Sequence, residues 1–489
     1  MIAKVASACA AGVALLDQGN SAAARAHFAE ALEAAPHALD VRLLVAYALA
    51  RATQSDEGRA VLAATPDIER LAAVEARRLA DAALALRADD VARRAITVAL
   101  REAPHDITLN ATLAAIADRL DDDEAADRHL ARALALDPRH IPALITRARR
   151  HAAADDWSRA VHTLDDAVRV DPHHALARYQ RGLVLLTLGR FAEGWRDTEA
   201  RRALPWHRQA MPQALPAWDG TPSPRGPVLV WGEQGLGDQV QFARFLPALA
   251  ERATGGLIVR VAAALIELVQ RLVPDAKVAA LDVPAPRAVA HLPLMSAPCV
   301  LALDDEWQFG RAPYLRLGTT LAPAPLAGRR PRIGICWAGN PGHAHDRARS
   351  LPLDALRTLV RDVDASWLSL QAGAADTARA ADPELGARIE TGAARASTFA
   401  DTARLIASLD RVVTADTAVA HVAAALGVPT TILVPPLPDW RWQRARIDSP
   451  WYASALLARR ARAESWPAVL ARVARTLPGY RASVVASAA

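Results

Sequence analysis

Apolar positions along this chain follow two rhythms. From about residue 5 to residue 208 they recur at helical spacing, and prolines punctuate them: Pro36, Pro104, Pro138 and Pro172 lie 68, 34 and 34 residues apart. The period is 34, with Arg70 at the skipped place. Small residues keep the same step, with Ala24, Ala92, Ala126 and Ala160 in one column and Gly58 between the first two. Ala31, Ala99, Ala133 and Ala167 form a second column, and Phe28, Leu62, Ile96, Leu130 and Leu164 a third. Small side chains let two helices approach closely, and the large apolar one fills the gap between them. Each proline ends a second helix, because it removes an N–H donor and restricts the residue before it. Alanine is abundant throughout the chain, so the proline spacing carries more weight than the alanine columns.

This pattern resembles the tetratricopeptide repeat, a helix–turn–helix unit of about 34 residues. "GLVLLTLGRFAEGWRDTEA" (182–200) is the best single match, through Gly182, Leu185, Gly189 and Phe191, and residues 14–38 follow. Close to six units are expected over 5–208, the second (39–72) degenerate. One such unit cannot bury its apolar face alone, so the units stack into a superhelix with a concave groove. The groove serves either to bind a protein or peptide partner or as a rigid spacer or dimer face, and the residues leave both open.

The second rhythm begins after a proline-rich connector, 209–226, part of a stretch in which Trp206 and Trp218 are expected to pin the chain to a neighbouring domain. Short apolar runs then alternate with helical segments. Strands are expected at 227–231, 257–261, 277–281 and 290–294, with a helix over 239–252. A second series places strands at 332–339, 367–371, 387–390, 411–414 and 430–435, and helices at 399–409, 416–426 and 465–477. Such alternation builds parallel, doubly wound sheets whose ligands sit at the carboxyl ends of the strands. The expected domains are therefore a repeat array (1–208), a linker (209–226) and two Rossmann-like halves (227–330 and 331–489).

Composition narrows the function. The chain of 489 residues is 52% hydrophobic with a formal charge of +5, and its only lysines are Lys4 and Lys277. Its arginines are spread rather than clustered and no nucleic-acid motif appears, so no nucleic-acid partner is expected. Cys9, Cys299 and Cys336 lack metal-ligand spacing and read as reduced thiols of a cytoplasmic protein. No apolar run reaches the roughly 18–20 residues that cross a bilayer. The N-terminal stretch falls within the repeat register and is read as a structural helix rather than a signal peptide.

Three loops at strand ends carry candidate chemistry. In "WGEQGLGDQ" (231–239) Gly235 and Gly237 allow close backbone approach and Asp238 opens a helix, where it could equally be a cap. "WAGNPGHAHDRARSLPL" (337–353) gathers Asn340, His343, His345, Asp346, Arg347, Arg349 and Ser350. Arginines beside hydroxyl and amide donors suit a diphosphate, although a solvated surface loop has the same look. In "VVTADTAVAHVAAALG" (412–427), Asp416, Thr417 and His421 surround a helix N-terminus, a place that favours anions. One of them must be the cap, and the alternative reading is a capped helix with a buried His421. Asp439, Trp440 and Trp442 read as a cleft wall or as an interdomain plug, the plug slightly preferred.

At these residues residues 227–460 resemble the heptosyltransferase-type glycosyltransferases of family 9, with the GT-B fold of two Rossmann-like domains facing a cleft. The resemblance implies a metal-independent transferase with no cofactor and a nucleotide-diphosphate sugar as substrate. Asp238 would be the general base. Donor binding would fall to Gly235, Gly237, Asn340, Arg347, Arg349, Ser350, Asp416, Thr417, Ala418 and His421. The family expects a basic residue in the diphosphate loop; no lysine stands there, so Arg349 or Arg347 takes that place. The acceptor would be a glycan or a protein, with the repeats binding a protein partner or the acceptor itself. The alternative is a non-catalytic repeat adaptor carrying a degenerate transferase-like domain.

Overall fold

The computed structural model describes residues 2–52, 55–210, 212, 215–222, 225–284, 287–317, 331–340, 346–392, 396 and 398–481. It divides into two compact units, Met1–His173 and His174–Ala489.

The first unit is five helical hairpins: α1 (Ile2–Asp17) with α2 (Ser21–Ala34), α3 (Leu39–Arg51) with α4 (Ser55–Ala63), α5 (Ala73–Ala85) with α6 (Asp89–Glu102), α7 (Ile107–Arg119) with α8 (Asp123–Leu136), and α9 (Ile141–Ala153) with α10 (Trp157–Val170). The sequence columns are the packing columns. Ala24, Ala92, Ala126 and Ala160 are fully buried, as are Ala31, Ala99, Ala133 and Ala167, and the Phe28–Leu164 column is buried beside them. The turns repeat too. Gly19, Arg87, Asp121 and Asp155 all have left-handed φ. They stand at multiples of the same 34-residue step. The next residue but one in each chain turn starts the second helix, and Asn20, Asp122 and Asp156 cap it by accepting an N–H three residues on. The degenerate second unit has a short α4, and a 3-10 turn at Ile68–Arg70 occupies the skipped proline place.

A sixth hairpin, α11 (Ala175–Thr187) and α12 (Phe191–Thr198), continues the pattern yet belongs to the second unit. The chain then forms α13 (Pro205–Ala210) rather than staying extended. Trp218 is buried and Ala217 pairs with His291, whereas Trp206 remains nearly half exposed, at 46%. The expected pinning thus holds for Trp218, while the half-exposed Trp206 has its ring beside those of Tyr179 and His207.

Two parallel sheets follow. The first has the order β3–β2–β1–β4, from β1 (Val228–Trp231), β2 (Leu257–Val261), β3 (Lys277–Ala280) and β4 (Ala290–Pro293). Around it lie α14 (Leu236–Ala243), α15 (Leu246–Arg252), α16 (Ile266–Gln270) and α17 (Ala297–Val300). The single helix expected over 239–252 is therefore two, broken just before Pro247, whose ring cannot follow a continuous helix. The second sheet has the order β10–β9–β8–β5–β6–β7. Its strands are β5 (Arg332–Cys336), β6 (Ser366–Ser369), β7 (Ile389–Thr391), β8 (Arg411–Ala415), β9 (Thr430–Val434) and β10 (Ala455–Arg459). Its helices are α18 (Asp346–Arg349), α19 (Ala355–Asp362), α20 (Ala374–Ala381), α21 (Pro383–Arg388), α22 (Phe399–Ala407), α23 (Ala418–Ala425) and α24 (Trp466–Ala474). Each sheet has the parallel order of a doubly wound domain, and helices at the carboxyl ends of β1 and β8, α14 and α23, pack on one another. This is the GT-B arrangement. Helix α24 packs on α19 and joins the second sheet's own core through Trp466, Val469 and Leu470.

The sixth hairpin is part of this unit's core. Trp195 of α12 lies edge-on to Phe242, Phe309, Trp440 and Trp451, with ring centroids 5.3–6.3 Å away. Those rings come from the first lobe, the segment between lobes and the second lobe, so one indole touches all three. Phe309 and Trp451 stack beneath it at 4.1 Å. Trp195→Ala should therefore destabilise the second unit by about 3–5 kcal/mol, the usual cost of emptying a large aromatic site, read as a lower midpoint in urea unfolding. A chain beginning at residue 174 should unfold cooperatively like the parent unit, and one beginning at residue 205 should not. A Trp195→Ala loss below about 1 kcal/mol would show that the hairpin is an appendage.

Candidate functional site

The Gly-rich turn after β1 sets one side of the site. Gln234 takes a left-handed φ of 59°, and Gly235 then caps α14. Asp238 reaches back so that its Oδ2 accepts the Gly235 N–H at 2.8 Å, which is the capping role the sequence allowed. Its Oδ1 is ion-paired with Arg441 Nη2. Gly237 marks the closest approach of the lobes: a Cβ there would lie 2.8 Å from His421 Cδ2 on α23. Any larger residue would push the two helix starts apart.

The turn is tied down from behind. Glu233 is buried and paired with Arg201 Nη2 at 2.7 Å, while His207 Nε2 lies 3.0 Å away. Burial pushes the Glu233 carboxyl up, but the Arg201 charge and the contacts from His207 outweigh it and hold it at about 2. Its Oε1 also accepts the Met295 N–H at 3.1 Å. The charge brackets run from the segment after α12 to the strand-end turn, so the last hairpin fixes the loop that carries Asp238.

On the second lobe, Thr417 is the N-cap of α23, but its side chain makes no capping bond. Its hydroxyl instead sits 3.3 Å from Thr414 Oγ1 and 3.7 Å from Cys336 Sγ. Ala418 opens the helix directly beneath Gly237, its Cα 3.5 Å from where a Cβ of residue 237 would stand. Burial, and next the neighbouring Asp439, push the Asp416 carboxyl up to about 6, against the pull of Trp442, Arg349 and Arg441. His421 is buried, its ring stacked on Trp442 at 5.4 Å and its Nδ1 2.9 Å from Tyr452 Oη. Burial and then the Arg441, Arg244 and Arg349 charges drive its pKa far down, so the ring is neutral. It is a packed core histidine at the lobe junction.

The 337–353 loop is held by its own side chains. Ser350 Oγ accepts the Gly339 N–H at 2.9 Å and donates to Asp346 Oδ2 at 3.0 Å. Arg349 pairs with Asp346 at 3.1 Å and reaches the Asp416 carbonyl through Nη1 at 3.0 Å. A Cβ at Gly339 would stand 2.3 Å from Asp346 Oδ1, so a larger residue there would displace the Asp346–Arg349 pair. Gln371 accepts the Trp337 and Ala338 N–H groups at the end of β5. Arg347 is exposed and Asn340 lies at the exposed lip of the loop. His343 and His345 lie outside the described residues. Among the described residues no group of three His, Cys, Asp or Glu side chains is placed to hold a metal ion, and no helix is long and apolar enough to cross a membrane.

Sequence reasoning missed Arg441, the residue that joins these parts. It is 5% exposed. Nη2 meets Asp238, Nη1 meets Asp439 Oδ1 at 2.9 Å, and Nε is bonded to Gln241 of α14. Its guanidinium lies 4.3 Å from the centroid of the Trp440 ring. Burial works against its charge, but Asp439, Asp238 and Asp416 together hold it ionised. The signal was present in "PDWRWQ": a lone arginine between two tryptophans. Trp440 and Trp442 are buried, which makes this stretch the packed plug rather than an open wall. Thus Asp238, Arg441, Asp416 and Arg349 form one connected cluster across the lobes, with Gly235, Gly237, Thr417 and Ala418 beside it, while Arg347 stands outside it.

Residues 369–443 match glycosyltransferase family 9 (heptosyltransferase). That segment includes Asp416, Thr417, Ala418, His421 and Arg441, and excludes Asp238 and the 337–353 loop. Among curated proteins, Protein FlbA of Caulobacter vibrioides is 26% identical over 342 residues, which span 63% of this chain and 56% of that protein. The chain thus spans little more than half the length of that relative. The structure of E. coli ADP-heptose lps heptosyltransferase II aligns at 16% identity and a TM-score of 0.30, over 49% of this chain and 92% of the other. A tetratricopeptide repeat protein from Parabacteroides merdae aligns at 12% identity and 0.32, over 41% and 79%. The chain joins a helical array of 34-residue period to an α/β unit of which residues 369–443 are similar to the heptosyltransferase family.

The raised Asp416 pKa makes a signed expectation. A carboxyl whose folded pKa exceeds its unfolded value binds its proton more tightly when folded, so it favours folding at low pH and that advantage is lost as pH climbs from about 4 to 6. Asp416→Asn has no such proton to lose. The variant should gain on the parent by roughly 2–3 kcal/mol between pH 4 and pH 7, measured by urea unfolding across that range. A constant gap would mean that Asp416 ionises normally.

Proposed function

We propose that this protein is a metal-independent glycosyltransferase that moves a sugar from a nucleotide-diphosphate donor to a glycan or protein acceptor, with the repeats binding the acceptor or a protein partner. The observation that carries the reading is the junction of α14 and α23, where a carboxylate from one lobe and a helix N-terminus without a side-chain cap from the other meet around Arg441.

In this reading Asp238 takes the acceptor's hydroxyl proton as the oxygen attacks the anomeric carbon. Its pKa is raised, chiefly by burial and against the opposing Arg441 charge, which makes it a better base than an exposed carboxylate. For that role one oxygen must be free of Arg441. The guanidinium is shared among Asp238, Asp439 and Asp416, and an incoming diphosphate would compete for it. Donor arrival and release of the base would then be one event. The departing diphosphate gains charge as the glycosidic bond breaks, and that charge would be met by Arg349, by the N–H groups at Thr417 and Ala418, and by Asn340 and Ser350 on the facing loop. Gly235 and Gly237 would let the first-lobe turn come against the sugar. Arg347 would serve only by moving inward.

A specific observation favours a second reading, that of a non-catalytic adaptor. Both oxygens of Asp238 are engaged, and Arg349 is tied to Asp346 and Asp416. The two readings separate on two measurements. Calorimetry with a panel of nucleoside diphosphates should detect binding, and Asp238→Asn should retain it while lowering turnover at least a hundredfold, within the usual range for loss of a general base (about 10²–10⁴). Silence across the whole panel supports the adaptor. Full turnover in Asp238→Asn removes Asp238 as the base. The share of the repeats in acceptor choice is tested by deleting residues 1–173, which leaves the Trp195 hairpin in place: transfer to protein should fall while donor hydrolysis persists.

A further inference from the structure

The repeat array carries a second candidate site, independent of the transfer reaction. Helix α7 packs on α6, α8 and α9, while the second helices α6 and α8 stand apart. Between α6 and α8 lies a cleft of about 330 Å³, on the second-helix face rather than on the groove side where first helices line up. Its floor is apolar, from Val98, Leu113, Ala117 and Ala125. Its walls hold four arginines, Arg93, Arg94, Arg101 and Arg128, against two carboxylates, Glu69 and Asp122.

Those two carboxylates are already used. Asp122 accepts the Ala125 N–H as a helix cap. Glu69 pairs with Arg94 at 2.8 Å, and its carbonyl takes Arg101. Arg93 and Arg128 are held only loosely, by Asp90 at 3.5 Å and Glu124 at 3.4 Å on their own helices. Exposed pairs of that kind are worth little and exchange readily. Arg93 Nε is buried with no partner among the described residues.

His129 adds direction. Asn110 Nδ2 donates to the Pro104 and Asp106 carbonyls, so its Oδ1 must receive, and His129 Nδ1 lies 3.0 Å from it. The proton is therefore on Nδ1. Burial, and then Arg128 and Arg132, lower the His129 pKa, which keeps the ring neutral. Its Nε2 is left as an acceptor on a wall otherwise made of cationic donors. A bare inorganic anion has no use for that acceptor. A peptide does, because it offers carboxylates and N–H groups together.

We infer that the cleft between α6 and α8 binds an acidic peptide segment of a partner protein. Carboxylate side chains pair with Arg93 and Arg128, a donor of the peptide meets His129 Nε2, and aliphatic stems cover the apolar floor. The inference does not rest on the transferase reading, and it places a partner on the face opposite the groove.

The test is fluorescence anisotropy on the full chain with a labelled hexaglutamate peptide, a hexalysine control and inorganic pyrophosphate as competitor. The glutamate peptide should bind, weaken about tenfold between 50 and 300 mM salt as exposed charges are screened, and weaken at least tenfold in Arg93→Glu/Arg128→Glu. The hexalysine peptide should fail on the parent. His129→Phe should weaken the peptide severalfold and leave pyrophosphate unchanged. Thermal melts should be unaltered in Arg93→Glu/Arg128→Glu, and nucleoside diphosphate binding by the second unit should be unaltered in all variants, which separates this site from the transfer site. Equal binding by the charge-reversed variant overturns the site. Binding of pyrophosphate without the peptide overturns the peptide assignment.

Discussion

The α/β unit depends on one buried cation. Arg441 is taken almost wholly out of water, which costs several kcal/mol unless its donors are met. They are met from both lobes: Asp238 and Gln241 on α14, and Asp439 on its own loop. Removing either carboxylate would leave a charge stranded, so the pair fixes how the two sheets face each other more than it adds to net stability. Arg244 makes a second tie of the same kind, donating from the C-cap of α14 to the Trp451 carbonyl at 2.7 Å with its guanidinium over the Tyr452 ring. The apolar counterpart is Trp195, whose ring contacts lock the last helical hairpin onto the same junction.

This arrangement changes what the repeats mean for the transferase-like part. A 34-residue period runs from α1 to α12, yet the unit boundary falls before its last hairpin. The hairpin keeps the repeat's sequence while spending its outer face on Trp195 and its trailing segment on Arg201, which holds Glu233 behind the Asp238 loop. The last hairpin thus belongs to the support of the Asp238 loop rather than to the array that precedes it.

Much of the fold was legible because it is local. Proline and alanine columns mark where helices end and touch, and all eight column alanines are fully buried. Short apolar runs between glycines and prolines gave nine of the strands to within a few residues. β10 was missed: "ALLAR" has an outward Leu456 and follows a tryptophan-rich loop, and it is a strand because β9 offers it an open edge. At the site, the sequence pointed to Asp238, Asp416 and Arg349, which do gather. It could not give Arg441 its role, since the partners Asp238 and Gln241 lie 203 and 200 residues away. Nor could it tell a ligand-facing His421 from a buried one; that depended on Tyr452 and Trp442 closing around the ring.

The central claim is that a nucleotide-diphosphate ligand is received where α14 and α23 meet around Arg441. Amide hydrogen exchange with and without a saturating nucleoside diphosphate tests it most directly. The account predicts joint slowing in the segments starting at Gly235 and at Thr417, on opposite lobes, and loss of both effects in Arg441→Gln. Slowing confined to one lobe, or to segments remote from residue 441, would contradict it.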